Sequence, residues 1–249
     1  MSDALSVAVA MLGINPIAES MAVDARISVE RKIGRRLPDS VARLLQFPGV
    51  MDAVASTYES HPVFPASLRL LDRGTTPSAH EDVLWLMTEN QGVCRWGVQL
   101  AAGDHPPVMV FGDPLESGES TATYANSVGE FVLAMAWDER LMSREPLIQA
   151  QAHPIDEETL RSLGSRYSEQ VTTLGWPGRE NRRYEGRDGL RLTIWSGPRQ
   201  CDWFIAADHQ AAVERALSWL SSQSNLELAL WSNDEDGMEL LARLGIGGH

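Results

Sequence analysis

The sequence predicts an α/β protein of the α+β type: an antiparallel sheet flanked by helices, with a C-terminal α/β extension. Three observations predict it. Residues 93–100 alternate strictly, with Val93, Arg95, Gly97 and Gln99 on one side and Cys94, Trp96, Val98 and Leu100 on the other. That two-residue period is the signature of a half-buried strand. Apolar residues on either side of this region recur every third or fourth position, the period of a helix face. After residue 155 a second set of helix and strand patterns begins, separated from the first by a lapse around Pro146–Pro154.

Each element has a local reason. Residues 1–25 read weakly as helix interrupted at Asn15-Pro16, because proline disfavours helix in the residue before it. Val29, Ile33 and Leu37 follow at helical spacing, with Gly34 suited to a left-handed C-terminal cap. Leu37-Pro38 begins a further helix, with Asp39 complementing its dipole. Val41, Leu44 and Leu45 form its apolar stripe until Phe47-Pro48-Gly49, and Met51–Tyr58 reads as a short helix. Val83–Met87 and Val93–Leu100 then read as a hairpin around Asn90-Gln91-Gly92. Gly103-Asp104-His105-Pro106 turns the chain into a third strand, Pro107–Phe111, completing a meander. Val128, Phe131, Val132 and Met135 mark a helix packed on that sheet.

In the second half, Asp156-Glu157-Glu158 open a helix whose apolar face reads Leu160, Leu163, Tyr167, Val171 and Leu174. Asp188-Gly189 is a hairpin turn signal feeding Leu190, Leu192 and Ile194. Ser196-Gly197-Pro198 leads into Asp202–Ala207, and Asp208 is placed to cap a helix carrying Val213, Leu217 and Leu220. The expected organisation is a helical lead-in over 1–26, a main domain over 27–145, and an α/β extension over 155–249. The extension either stands alone or continues the same domain.

Composition narrows the function classes. The chain has 249 residues, 43% hydrophobic and 22% charged, ordinary for a folded protein. Its longest apolar stretch, Val7–Ile14, is far below the ~20 residues that span a bilayer, and it has no preceding cation of the kind a signal peptide carries. The expectation is a cytoplasmic protein without a membrane segment. Cys94 and Cys201 are distant and form no CxxC, so no disulfide framework or zinc knuckle is expected. The net charge of −13 argues against a nucleic-acid partner, which requires clustered cations.

Taken in order, several short motifs resemble the SUKH superfamily, which includes fungal Smi–Knr cell-wall regulators and many bacterial immunity proteins. The matching residues are Glu30, Ile33-Gly34, Leu37-Pro38, Glu89-Asn90-Gln91-Gly92-Val93 and Trp96-Gly97-Val98, then Asp104, Pro106-Pro107-Val108, Ser127-Val128 and Glu130-Phe131-Val132. The resemblance spans roughly 27–140, a length suited to one domain. Phe47-Pro48-Gly49 stands where the family usually has an Asn-Gly-type turn, and His105 where a second Asp is common. The fold signature is thus Gly34, Leu37, Pro38, Asn90, Gln91, Gly92, Trp96, Asp104, Pro106, Pro107 and Phe131. Elementary chemistry accounts for most of it as turns, helix starts and core aromatics.

No catalytic, cofactor-binding or metal-ligating residue is expected. His61, His80, His105, His153 and His209 include no HxH or HExxH spacing, and no GxSxG elbow, Walker A loop or GxGxxG turn occurs. Cys94 shares its strand face with Trp96 and Val98, a setting for an inert thiol. Pro114, Leu115, Ser117 and Gly118 break any EF-hand order among the acids of 113–119. The resemblance therefore implies a non-catalytic binding protein, and most specifically an immunity protein that neutralises a toxin, often a nuclease with a basic cleft. The candidate protein-binding residues are Asp113, Glu116 and Glu119 in the loop after the sheet, with Asp138 and Glu139 at the end of the next helix. Two other readings stand beside it: a SUKH-like regulatory or scaffold protein, and a hydrolase using scattered Asp and His residues.

Overall fold

Proline and glycine divide the N-terminal region into short helices, and alternating strands supply the sheet that these helices precede. The computed structural model describes residues 3–56, 60–65, 82–112, 121–220 and 229–246. By its internal contacts the chain separates into two units, Met1–Glu139 and Arg140–His249.

The first unit begins with α1 (Ala4–Met11), α2 (Glu19–Ile33), α3 (Asp39–Ala42) and α4 (Val50–Ala55). Its strands are β1 (His61–Pro62), β2 (Val83–Thr88), β3 (Arg95–Gln99), β4 (Val108–Phe111) and β5 (Thr121–Ala125). They pair antiparallel in the order β1-β2-β3-β4-β5, a simple meander. Helix α5 (Val128–Met142) follows and runs across the division between the units. The alternation in β3 is expressed in part: Trp96 and Val98 are fully buried and Arg95 and Gln99 are exposed, but Gly97 is buried too. Phe131 of α5 packs on Trp96 and on Tyr124 of β5, with ring centroids 6.5 and 5.9 Å away. Such offset and edge-on contacts suit the charge distribution of aromatic rings.

The β2–β3 connection is the expected turn. Gly92 adopts φ +73° and donates its N–H to the Glu89 carbonyl at 2.9 Å, while Glu89 N–H reaches the Cys94 carbonyl at 3.1 Å. Gly97 serves a different need. A Cβ at that position would lie 2.7 Å from Val83 Cγ1 and 3.0 Å from the Trp85 ring, so only glycine lets the neighbouring strand's side chains lie across β3. Trp85 then meets Phe111 edge-on at 4.8 Å, under the Arg95 guanidinium at 5.8 Å.

The second unit contains β6 (Ile148–Ala152), α6 (Glu157–Arg166), β7 (Ser168–Glu169), β8 (Thr173–Leu174) and β9 (Glu180–Glu185). It continues with β10 (Arg191–Ser196), β11 (Cys201–Ala206), α7 (Gln210–Leu220), β12 (Ala229–Trp231) and α8 (Glu235–Leu244). Its sheet has the order β12-β6-β11-β10-β9-β7, with β8 also paired to β9. Leu192, Ile194, Trp203 and Ile205 pack with Leu163 of α6, Val213 and Leu217 of α7, and Leu240 of α8. Alternation sends Asn181, Arg183, Arg191 and Thr193 to the opposite face, where all four are also buried. The protein is therefore α+β, with two antiparallel sheets and flanking helices.

Several elements differ from the sequence reading. Helix α2 runs through position 26, so no boundary lies between a lead-in and the main unit there. Leu37 lies beyond Gly34, whose φ of +68° ends α2, and so it belongs to the strap before α3 and not to the α2 face. The 146–154 lapse contains strand β6, whose Ile148, Ala150 and Ala152 are buried. The helix expected as far as Leu174 ends at Arg166, because Tyr167 turns to extended backbone and the following residues pair with β9. Asp208 lies two residues before the start of α7 and its carboxylate pairs with Arg144.

Candidate functional site

The polar residues that carry the resemblance are used at chain joints. Glu30 at the end of α2 accepts from the Leu37 backbone N–H at 2.9 Å and from Arg26 Nε at 2.9 Å. Burial pushes its carboxyl up, but these two donors hold it below the usual carboxylate range. Arg26 also donates to Asp39 at 3.0 Å and to the Leu37 carbonyl at 3.3 Å. Asp39, bonded by both Arg26 and Arg36, is likewise held low. The Asp104 carbonyl accepts from Ser40 N–H at 3.1 Å, and its carboxylate lies 3.5 Å from Arg36. Gly34, Leu37, Pro38 and Asp104 thus form one strap between α2, α3 and the β3–β4 connection.

The hairpin signature is equally committed. The buried Glu89 carboxylate accepts from the N–H groups of Gln91 at 2.8 Å and Val93 at 3.2 Å, which satisfies two turn donors that pair with no strand. Asn90, Gln91 and Gly92 form the turn itself, Pro106 is buried and Pro107 half-buried before β4, and Trp96 and Phe131 lie in the core. A groove of about 330 Å³ lies between α2 and α3, lined by Arg26, Asp39 and Arg43 among others. Its cations are already paired: Arg26 with Glu30 and Asp39, and Arg43 with Asp3. The Arg43 bond holds the Asp3 carboxyl down at about 2.

The residues expected to bind a partner are distributed differently from the sequence reading. Asp113, Glu116 and Glu119 lie outside the described residues, as does His80. Asp138 is fully buried within α5, so it cannot contribute to a docking surface; the helix continues past it to Met142. Glu139 is half-buried and accepts from Ser56 Oγ at 2.9 Å.

The groups from which a catalytic site would be built are separated or buried. His61, His105, His153 and His209 are exposed on different elements. Cys94 and Cys201 are buried and form no disulfide. Burial pushes the Cys201 thiol up to about 12, with Asp202 adding to the effect, and its Sγ lies 3.3 Å from the His153 carbonyl. Among the described residues no group of three or more His, Cys, Asp and Glu is arranged to hold a metal ion. Among them, too, no helix is long and apolar enough to cross a membrane.

Compared with known proteins, the chain matches no family model, no curated protein and no solved structure.

Sequence reasoning missed Asp234. Asp234 caps α8 by accepting from Gly237 N–H at 2.7 Å, and it also accepts from Leu147 N–H and Ser232 Oγ, both at 2.9 Å. The Ser-Asn-Asp approach to an acidic helix start was the available signal. The 87-residue reach to Leu147 had none.

Proposed function

We propose that this chain is a non-catalytic protein-binding module of the SUKH type, acting in the cytoplasm as an immunity protein that neutralises a basic, nuclease-type toxin domain. One observation carries the reading: residues 96–139 contain seven acids and no lysine or arginine. They include Asp113, Glu116 and Glu119, and the half-buried Glu139, whereas Asp138 is buried and takes no part. Accessible acids with no cation among them raise the encounter rate with a partner of the opposite sign and block a basic cleft without chemistry. The use of Glu30, Glu89 and Asp104 at backbone joints supports a structural role for the motif residues. It leaves the loops to carry recognition.

The test is to search the adjacent reading frames for a toxin domain and measure its association with this chain by stopped-flow fluorescence at increasing salt. The on-rate should fall steeply as the screening length drops from ~10 Å at 0.1 M towards ~3 Å at 1 M. Replacing Glu116 and Glu119 together by Gln should slow association and flatten that dependence, with an unchanged circular dichroism spectrum. Failure to form a complex, or rates indifferent to both salt and the double substitution, would refute this reading. A complex with an unrelated signalling protein would favour the regulatory role.

A further inference from the structure

The second unit carries a cleft of about 480 Å³ lined by Arg166, Arg187, Arg215, Asp188, Tyr167 and Leu190, with Ala212 and Ala216 at its base. This is a concentration of arginine in a chain of net charge −13. The three come from distant points: the C-terminus of α6, the β9–β10 turn and the middle of α7. Asp188 and Gly189 both take positive φ, 60° and 68°, in the tight turn that places Arg187 at the cleft.

Two of the arginines are held in place. The Arg166 guanidinium lies 4.9 Å from the Trp219 ring centroid and 5.8 Å from that of Tyr167. Arg215 is held by Asp188 at 2.6 Å. Among the described residues, Arg166 and Arg187 have no carboxylate within ion-pair distance, whereas Arg26, Arg35, Arg36, Arg43, Arg144, Arg182 and Arg243 all do. The three cations and single carboxylate leave the cleft two positive charges in excess. Its floor is apolar and buried: Leu190, Ala212 and Ala216 are each 5% exposed or less.

We propose that this cleft binds a phosphate monoester of a small organic molecule. A phosphate monoester carries close to two negative charges at neutral pH, matching the excess. Planar guanidinium groups bond phosphate oxygens in pairs, which a lysine cannot do. The apolar floor accommodates the organic part, and the volume lies in the range of small-molecule sites. The proposal is independent of the protein-binding reading, because it involves only groups of the second unit.

The experiment is a ¹⁵N–¹H correlation titration of the full chain with glycerol 2-phosphate, with inorganic phosphate and succinate as separate arms at matched ionic strength. Glycerol 2-phosphate should saturate with a Kd of about 1 mM or tighter, shifting the amides of 166–167, 187–190 and 212–216. Arg187→Ala and Arg166→Ala should each weaken it about tenfold or more, since bonds to charged groups are worth that much. Arg243→Ala, outside the cleft, should leave it unchanged. Glycerol 2-phosphate binding tighter than inorganic phosphate supports an ester ligand; the reverse assigns the cleft to free phosphate and overturns the ester. Equal binding of succinate, no saturation by either phosphate up to about 10 mM, or insensitivity to Arg187→Ala overturns the site.

Discussion

The first unit holds 18 acids against nine bases and the second 16 against 12, yet the contrast lies more in where the cations lie than in the totals. In the first unit, Arg26, Arg36 and Arg43 tie helices and connections together through Glu30, Asp39, Asp104 and Asp3. These pairs are partly exposed, so each contributes little by itself. In the second unit, Arg183 and Arg191 stand on sheet strands and are buried. Arg183 is held by the carbonyls of Val171 and Asn181 and the hydroxyl of Thr173, at 3.2–3.3 Å. Burial, reinforced by Arg144 and Arg140, lowers the Arg191 affinity for its proton. The first sheet packs through an aromatic cluster, whereas the second adds to its apolar face a buried polar network on the other, which fails differently when one partner is lost.

That contrast can be broken most forcefully in the first unit. Trp96→Ala removes the ring on which Tyr124 and Phe131 pack and should cost about 3–5 kcal/mol. Hydrogen exchange read peptide by peptide should show the loss in residues 83–135; equal loss only in the second unit would mean the aromatic cluster does not govern the first.

Asn181→Ala is the corresponding change in the second unit. The Asn181 side chain is fully buried, accepts from Gly178 N–H at 3.0 Å and donates to the Gly175 carbonyl at 2.7 Å. Leaving both groups unpaired should cost about 2–3 kcal/mol, measured by urea unfolding. Asn181→Asp keeps the acceptor but sets a buried carboxylate oxygen against the Gly175 carbonyl, so it should cost at least as much as the alanine. A neutral Asn181→Ala would show that the polar network adds nothing to this sheet.

Smaller effects sharpen the comparison. Gly92→Ala forces an L-residue to φ +73° with open space around it, so backbone strain alone should cost about 1 kcal/mol. Acidification tests the first unit's ion pairs. Asp3, Glu30 and Asp39 are all depressed in the folded state; their contribution is complete above the unfolded carboxylate values near 4. It is lost as pH falls through the folded ones, down to about 2 for Asp3. Arg26→Gln should flatten this acid limb of the first unit's stability curve.

Much of the first sheet was legible because its signals are local. The alternation of 93–100, the Asn90-Gln91-Gly92 turn and the Gly34 cap each depend on neighbours within a few residues. The same holds for Asp156, which caps α6 through Thr159 N–H at 2.7 Å. Strand β9 was not legible: Glu180–Glu185 has a single apolar residue, Tyr184, and becomes a strand only because β10 and β7 bracket it. Strand β6 did carry a signal, since Ile148-Gln149-Ala150-Gln151-Ala152 alternates strictly, but its small side chains mimic a linker. Of the candidate binding residues, Asp138 was misread because the four apolar residues before it, Ala134, Met135, Ala136 and Trp137, share its buried segment. A charged residue gives no sign by itself that it turns inward.

The sequence by itself determined the α+β class, the meander from 83 to 111, the long helix after it, the tight turn at Asp188-Gly189 and the acidic character of residues 96–139. These follow from backbone preferences and periodicities that act over a turn or two of chain. Only the tertiary structure decided that Glu30 and Glu89 are bound by backbone donors, that Asp234 ties α8 to Leu147, and that Arg166, Arg187 and Arg215 line one cleft. Those pairings join residues that are near only after the strands have found their order, and the energy that selects that order is burial of the whole sheet face. No short window of sequence contains it.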